Sequence, residues 1–273
     1  MIRIGIAGLA GRMGLLLAEE IVAAGATLAG GTLRPGSNRP SSDRPSTDRP
    51  SSNRPFPDAT VLADAAELFA ASDVVIDFTH AEQAAPHAAL AARTGTPLVL
   101  GSSGLSAAQD HAVAAAAAQV PVVHAANFAP GVNLVLALAE RMAAALPAEQ
   151  YDAEIVEMHH RQKVDAPSGT AIALGRAVAA GRGTTLEAAG RESGRDGHTG
   201  ARRTGSIGFA ALRGGQVVGE HTLLFAAGTE HIAITHRSFD RRSYAVGAVR
   251  AALWTQGRPP GLYSMMDVLG MRR

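Results

Sequence analysis

The N-terminal stretch MIRIGIAGLAGRMGLLLAEEIVAAGA, Met1 to Ala26, decides the fold. Ile2, Ile4 and Ile6 form a β-type apolar run, GLAGRMG follows as a glycine turn, and LLLAEEIVAAGA carries helical apolar spacing that stops at Gly25. Strand, glycine turn and helix in this order open a dinucleotide-binding unit. Gly8, Gly11 and Gly14 permit a tight turn, close approach of a pyrophosphate and helix packing, while the helix N-terminus offers free N–H groups to phosphates. The spacing is G-x-x-G-x-x-G, not the commoner G-x-G-x-x-G, so the strand-to-helix context carries the reading.

Outward from this unit, TLAGGTL, DVVIDFT, TPLVLGSSG and VPVVHAANF are apolar runs ending in small or polar residues and separated by Ala-rich helical segments. The alternation predicts a Rossmann-type, doubly wound parallel sheet over 1–127, with functional groups at the carboxyl ends of its strands. After Asn127 come the helix GVNLVLALAERMAAAL, the strand YDAEIVEMHH, the helix GTAIALGRAVAAG and β-rich runs at 205–212, 216–226 and 229–237. This pattern predicts a second, α+β domain over 128–238, and the helical YAVGAVRAALWTQG in 239–273 is a candidate to return to the first domain. Between 34 and 57 stands a five-residue Arg-Pro repeat with almost nothing apolar, which predicts a mobile surface loop of polyproline character.

Composition excludes whole classes. A chain of 273 residues, 47% hydrophobic and 18% charged, is globular; a net charge of +1 and 4% aromatic residues argue against nucleic acid and anionic membranes as partners. Cysteine is absent, which removes disulfides, thiolate nucleophiles and Cys-ligated metals. The first residues enter a strand directly, without signal-peptide regions, and no apolar run approaches membrane-spanning length, so a cytoplasmic chain is expected. The acidic residue expected at the end of the second strand for a ribose 2′-hydroxyl is missing. Gly31, Thr32, Leu33 and Arg34 stand there, and Arg34 suits a 2′-phosphate, so NADPH is expected over NADH.

Chemistry concentrates in EMHHRQKVDAPSGTA, Glu157 to Ala171. Pro167 disfavours helix at Ala166, which makes Ser168 the predicted N-cap and places Gly169 and Thr170 in the first helical turn, their N–H groups aimed at an anion such as a carboxylate. His159, His160, Arg161 and Lys163 surround this site; His159 and Lys163 are the candidate proton donors for a nitrogen left by hydride addition to C=N. Neighbouring strand residues point to opposite faces, so both histidines reach one substrate only if the strand ends there. For the same reason His159 and His160 make a poor metal chelate, and none is expected. Ser168 lacks the elbow context of a hydrolase nucleophile.

This stretch resembles the signature of the 4-hydroxy-tetrahydrodipicolinate reductase family, also called dihydrodipicolinate reductases. GLAGRMG, VVIDFT, GSSGL, AANFAPGVN, GFAALRGGQVVGEHTLLF, ITHRSFDRRSYAVGAVRAALW and GLYSMMDVL are similar to family segments in the family order. The resemblance implies NAD(P)H-dependent reduction of a cyclic imine dicarboxylate to tetrahydrodipicolinate with loss of water, in the diaminopimelate route to lysine. It implies a catalytic histidine at His159 and a catalytic proton donor at Lys163, with substrate-carboxylate contacts at His160, Gly169 and Thr170. Cofactor contacts fall on Gly8, Leu9, Ala10, Gly11, Arg12 and Met13, on Gly101, Ser102 and Ser103, and on Ala126, Asn127, Phe128 and Ala129. It further implies a Rossmann domain completed by the C-terminal segment and a mixed-sheet domain that assembles a homotetramer. Leu33 replaces an acidic ribose ligand, Ser102 and Ser103 replace threonines, and Ala129 replaces a serine. The alternatives to this reading are a dehydrogenase of another small carboxylate and a non-catalytic NADP sensor; the intact His159 and Lys163 argue against the sensor.

Overall fold

The structure, a computed structural model, describes residues 1–33 and 60–272; the Arg-Pro repeat, with Arg34, lies outside the described residues. The chain forms two compact units, one of Met1–Pro130 with Arg242–Arg273 and one of Gly131–Arg241. The unit limits, 130/131 and 241/242, stand beside the expected boundaries at 127 and 238.

In the first unit, strands β1 (Arg3–Ala7), β2 (Thr27–Gly31), β3 (Val74–Asp77), β4 (Leu98–Leu100) and β5 (Pro121–His124) pair in parallel. Helices α1 (Arg12–Ala23), α2 (Ala65–Ala71), α3 (Ala84–Thr94) and α4 (Ala107–Ala117) lie between them in the chain. The strands read as apolar runs because both faces are covered. Ile4, Ile6, Ile76, Val99 and Val123 enter one core with Leu17, Ile21 and the C-terminal residues Ala248 and Val249; Val75, Leu98, Leu100 and Val122 enter a second with Leu68 and Phe69. Successive residues thus alternate between two buried layers. Helix α1 buries Gly14, Leu17, Ala18 and Ile21, the spacing of a single helical face, and ends before Gly25, whose φ of +73° favours glycine.

The C-terminal segment adds strand β11 (Gly261–Tyr263), parallel to β5, so the sheet order is β11-β5-β4-β3-β1-β2. Helix α8 (Arg242–Trp254) packs on α1, and the Arg242 guanidinium pairs with Glu19; the short α9 (Met265–Val268) follows β11. The chain order reverses between β1 and β3, and a sheet of this kind opens its ligand crevice at such a switch point.

The second unit holds most of α5 (Pro130–Ala145), then β6 (Asp152–His159), α6 (Gly169–Gly181), α7 (Leu186–Ala189), β7 (Arg191–Ser193), β8 (Ile207–Arg213), β9 (Gly219–Ala226) and β10 (His231–Ser238). Its sheet order is β10-β9-β6-β8-β7, antiparallel on one side of β6 and parallel on the other, a mixed sheet. Ala153, Ile155, Leu223 and Phe225 face a core shared with Leu174 and Val178 of α6. The opposite face of the sheet carries Val156, Leu212 and Leu224, of which Val156 and Leu212 are exposed. Among the described residues no helix is long and apolar enough to cross a membrane.

Candidate active site

Helix α1 starts directly from the glycine turn. Its N-cap, Gly11, gives no side-chain cap, and no acidic residue stands in the first turn, so the positive end of the helix is left for an anion. Gly8 has a φ of +81°, and its carbonyl accepts the Gly11 N–H at 3.0 Å. A methyl group at Gly14 would lie 2.4 Å from the carbonyl oxygens of both Gly8 and Leu9, so only glycine lets the helix close on the turn. These residues fit the cradle expected for a pyrophosphate. Arg12 is exposed and Met13 half-buried at the helix start, both with first-turn N–H groups. Leu9 has its side chain in the core and its N–H on the Thr32 carbonyl at 2.9 Å, so it shapes the turn.

The loops after β3, β4 and β5 line up beside it, as the strand order requires. Buried Asp77 receives the Thr79 N–H and hydroxyl on one oxygen, at 2.7 and 2.6 Å, and contacts His87 Nδ1 of α3 at 2.7 Å on the other. The Gly101 N–H donates to the Asp77 carbonyl at 2.8 Å, and the Ser102 hydroxyl donates to the Thr79 carbonyl at 3.1 Å. Ser102 therefore locks one loop to the next, while Ser103 stays exposed. After β5, Ala126 is exposed, Asn127 Oδ1 accepts the Ala129 N–H at 2.8 Å, and Phe128 is buried against Phe78. At the end of β2, Leu33 packs against the core and presents no carboxylate.

In the second unit β6 ends at His159, which meets the condition for both histidines to serve one place. His159 is buried, and His160, the next residue, is half-buried with its Nδ1 lacking any protein partner. Ser168 caps α6, its hydroxyl accepting the Ala171 N–H at 3.2 Å, so the N–H groups of Gly169 and Thr170 are left over at the helix start. A methyl group at Gly169 would meet nothing within 4 Å, so the space before this helix end is open. The Lys163 Nζ donates to both Asp165 carboxylate oxygens, at 2.8 and 3.0 Å.

Three residues that sequence reasoning left without a role complete the site. Glu157, two residues before His159 and on the same face, is 1% exposed. Its carboxylate accepts the His159 Nδ1–H at 2.5 Å, two bonds from Arg213 at 2.8 and 2.9 Å, and the Ser168 N–H at 3.1 Å. Burial alone would raise the Glu157 pKa, yet the bonds from Arg213, His159 and Ser168 hold it below the ordinary carboxylate range. Arg213 arrives on β8, opposite His159, and His221 on β9, opposite Glu157. His221 Nε2 lies 2.9 Å from the Ser168 hydroxyl, and its ring stands edge-on to His159 at 5.0 Å. Burial, with His159 close by, pushes the His221 pKa down to about 4. Glu157, His159 and His221 offer ligand-type atoms within 4.8 Å of one another. The Arg213 guanidinium already spans both Glu157 oxygens, and its charge opposes a second cation on them.

Two sequence profiles match the chain: the N-terminus of dihydrodipicolinate reductase over residues 2–128 and its C-terminus over residues 131–269. The chain belongs to the dihydrodipicolinate reductase family. It is 66% identical over 271 residues to the 4-hydroxy-tetrahydrodipicolinate reductase of Granulibacter bethesdensis, covering 99% of this chain and 98% of the relative. It is 58% identical over 270 residues to the enzyme of that name from Gluconacetobacter diazotrophicus, covering 99% and 98%. Among solved structures, dipicolinate-bound dihydrodipicolinate reductase from Paenisporosarcina sp. TG-14 shares the fold at a TM-score of 0.74 and 24% identity, covering 98% of each chain. GenD2 from gentamicin A biosynthesis, in complex with NAD, shares it more loosely, at a TM-score of 0.60 and 17% identity, covering 99% of this chain and 90% of that one. The protein is thus an oxidoreductase, a member of a reductase family whose N-terminal part carries the NAD(P)H-binding loop.

Proposed function

We propose that this chain reduces 4-hydroxy-tetrahydrodipicolinate to tetrahydrodipicolinate, consuming NAD(P)H and one proton and releasing NAD(P)⁺ and water, in the diaminopimelate route of lysine biosynthesis. The observation that carries the reading is the close of β6: His159 at the strand end, Lys163 four residues on, and the open N-terminus of α6 at Gly169 and Thr170. Proton donors and an anion cradle stand together in one short stretch, as a dicarboxylate bearing a C=N bond requires.

When bound, the reduced nicotinamide supplies the hydride. The protein's own groups do the rest. The Gly169 and Thr170 N–H groups and His160 hold substrate carboxylates, and Lys163 and His159 deliver the one proton taken up as the ring hydroxyl leaves as water and hydride takes its place on carbon, the ring keeping its C=N bond. The turn of Gly8, Leu9, Ala10, Gly11, Arg12 and Met13 would hold the pyrophosphate, and the loops at Gly101–Ser103 and Ala126–Ala129 would hold the nicotinamide end. Leu33, with no carboxylate for a 2′-hydroxyl, supports a preference for NADPH, with Arg34 as the 2′-phosphate partner. The half-exposed apolar face of the mixed sheet supports a homotetramer, and the composition supports a cytoplasmic enzyme.

Mass spectrometry of the product tests the chemistry. With NADPH deuterated at both C4 positions and the condensation product of pyruvate and aspartate semialdehyde, the tetrahydrodipicolinate formed gains one deuterium. An unlabelled product, or none, contradicts the proposal. Michaelis constants measured for both cofactors should favour NADPH; a lower constant for NADH removes the argument from Leu33.

A further inference from the structure

We propose that Glu157 is the positioning residue of this site: held in place by Arg213 and the Ser168 N–H, it fixes the Nδ1–H tautomer and the plane of His159, leaving Nε2 as the proton-carrying atom. This rests on the reading of His159 as a proton-transferring group.

The geometry is that of an oriented acid. An ionised carboxylate has no hydrogen to give, so the 2.5 Å contact places the hydrogen on His159 Nδ1. In the neutral ring Nε2 is then an acceptor, and in the imidazolium it is a donor. Nε2 points past Gly219, where even a methyl group would come within 3.0 Å of it. Glu157 cannot swing away, because Arg213 grips both of its oxygens and the Ser168 N–H holds one of them. The same carboxylate therefore fixes two things: the histidine that moves the proton and the cap of the helix whose N–H groups bind the anion. A carboxylate that merely neutralised Arg213 would need neither the His159 bond nor the Ser168 bond.

The charged groups around His159 come from every neighbouring strand and from the loop. Glu157 precedes it on β6, and His160 follows it in the chain. Lys163, paired with Asp165, approaches from the loop, Arg213 from β8, and His221 from β9 with His236 opposite it on β10. Burial lowers the His159 pKa, Lys163 and Arg213 lower it further, and Glu157 alone among these influences raises it. Removing the Glu157 charge should move His159 titration to lower pH. Removing Arg213 should move it to higher pH, since that takes away a repelling cation and frees the carboxylate for the imidazolium alone.

Nitrogen-15 NMR of the histidine rings reads tautomer and titration without any turnover. The variants are Glu157→Gln, Arg213→Met and the pair combined, in which the amide no longer faces a guanidinium and which serves if the single Glu157 variant fails to fold. The expected result has three parts. Wild-type His159 shows the Nδ1–H form, loss of the Glu157 charge mixes the tautomers and shifts titration down, and Arg213→Met shifts it up. In Glu157→Gln, kcat should fall about tenfold to a hundredfold, part of the roughly 10² to 10⁴ available to a general acid, with the Michaelis constant for NADPH unchanged. The acid limb of the pH–rate profile should move with the NMR titration. The proposal is overturned if the His159 tautomer and titration are the same in Glu157→Gln as in wild type, or in the double variant as in Arg213→Met. Full turnover in His159→Gln would instead overturn the role of His159 in proton transfer, whereas the NMR titrations alone decide whether Glu157 sets the state of the ring.

Discussion

Arg213, His159 and the Ser168 N–H all converge on one buried carboxylate, and His221 joins them through the Ser168 hydroxyl. Such a network is secure only while its charges keep their pattern, because unpaired polar groups are costly away from water. His221 is the weak point on acidification. Its folded-state pKa of about 4 lies below the ordinary 6.5, so the unfolded chain takes the proton first. The corresponding stability is fully present above about pH 6.5 and is lost as the pH falls toward 4, on the order of 3 kcal/mol in all. Thermal melts at pH 7 and pH 5 should show a clear drop in wild type and a smaller one in His221→Gln; equal drops would remove His221 from the account. At Lys163, substitution by alanine should lower turnover by roughly 10² to 10⁴ while NADPH affinity, read by fluorescence titration, stays unchanged. Of these residues, His159, His160 and Lys163 are legible in the sequence because they crowd one segment. Glu157 was legible in principle, two residues from His159 on the same strand face. Arg213 and His221 were not, since only the register of β6 with β8 and β9 brings them in.

At the scale of elements, the α6 N-terminus starts where its sequence announces. Pro167 and Ser168 set its start, and the observed cap is the expected one. Thr170→Pro keeps the helix, whose second position needs no N–H, but removes one anion-binding donor. The Michaelis constant for substrate should rise about tenfold or more, as for loss of one hydrogen bond to a charged group, with the helical circular dichroism signal retained. An unchanged constant would mean that the anion binds elsewhere. Helix α1 is equally legible, from the spacing of Leu17, Ala18 and Ile21. Strands β7 and β11 escaped sequence reading because each has three residues, too few for an alternating pattern to declare itself. Their strand character comes from their partners, β8 and β5.

For the whole molecule, the first unit carries the glycine turn and the second the proposed proton donors and anion cradle. The doubly wound sheet was readable from runs such as VVIDFT, since strands buried on both faces must be apolar throughout. The strand order and the mixed pairing of the second sheet were not, because pairing partners lie far apart in the chain. The outward face of that sheet leaves Val156 and Leu212 exposed, and the proposed homotetramer would bury them. Leu212→Glu should therefore yield smaller species in sedimentation velocity at unchanged secondary structure; an unaltered tetramer, or a wild-type monomer, would refute that assignment. The most direct test of the central claim is the fall in reduced-cofactor absorbance when the synthase makes the substrate in place from pyruvate and aspartate semialdehyde. The expected result is NADPH oxidation that requires the synthase and disappears in Lys163→Ala. No oxidation of either NADPH or NADH, by folded protein that still binds the cofactor, would contradict the account.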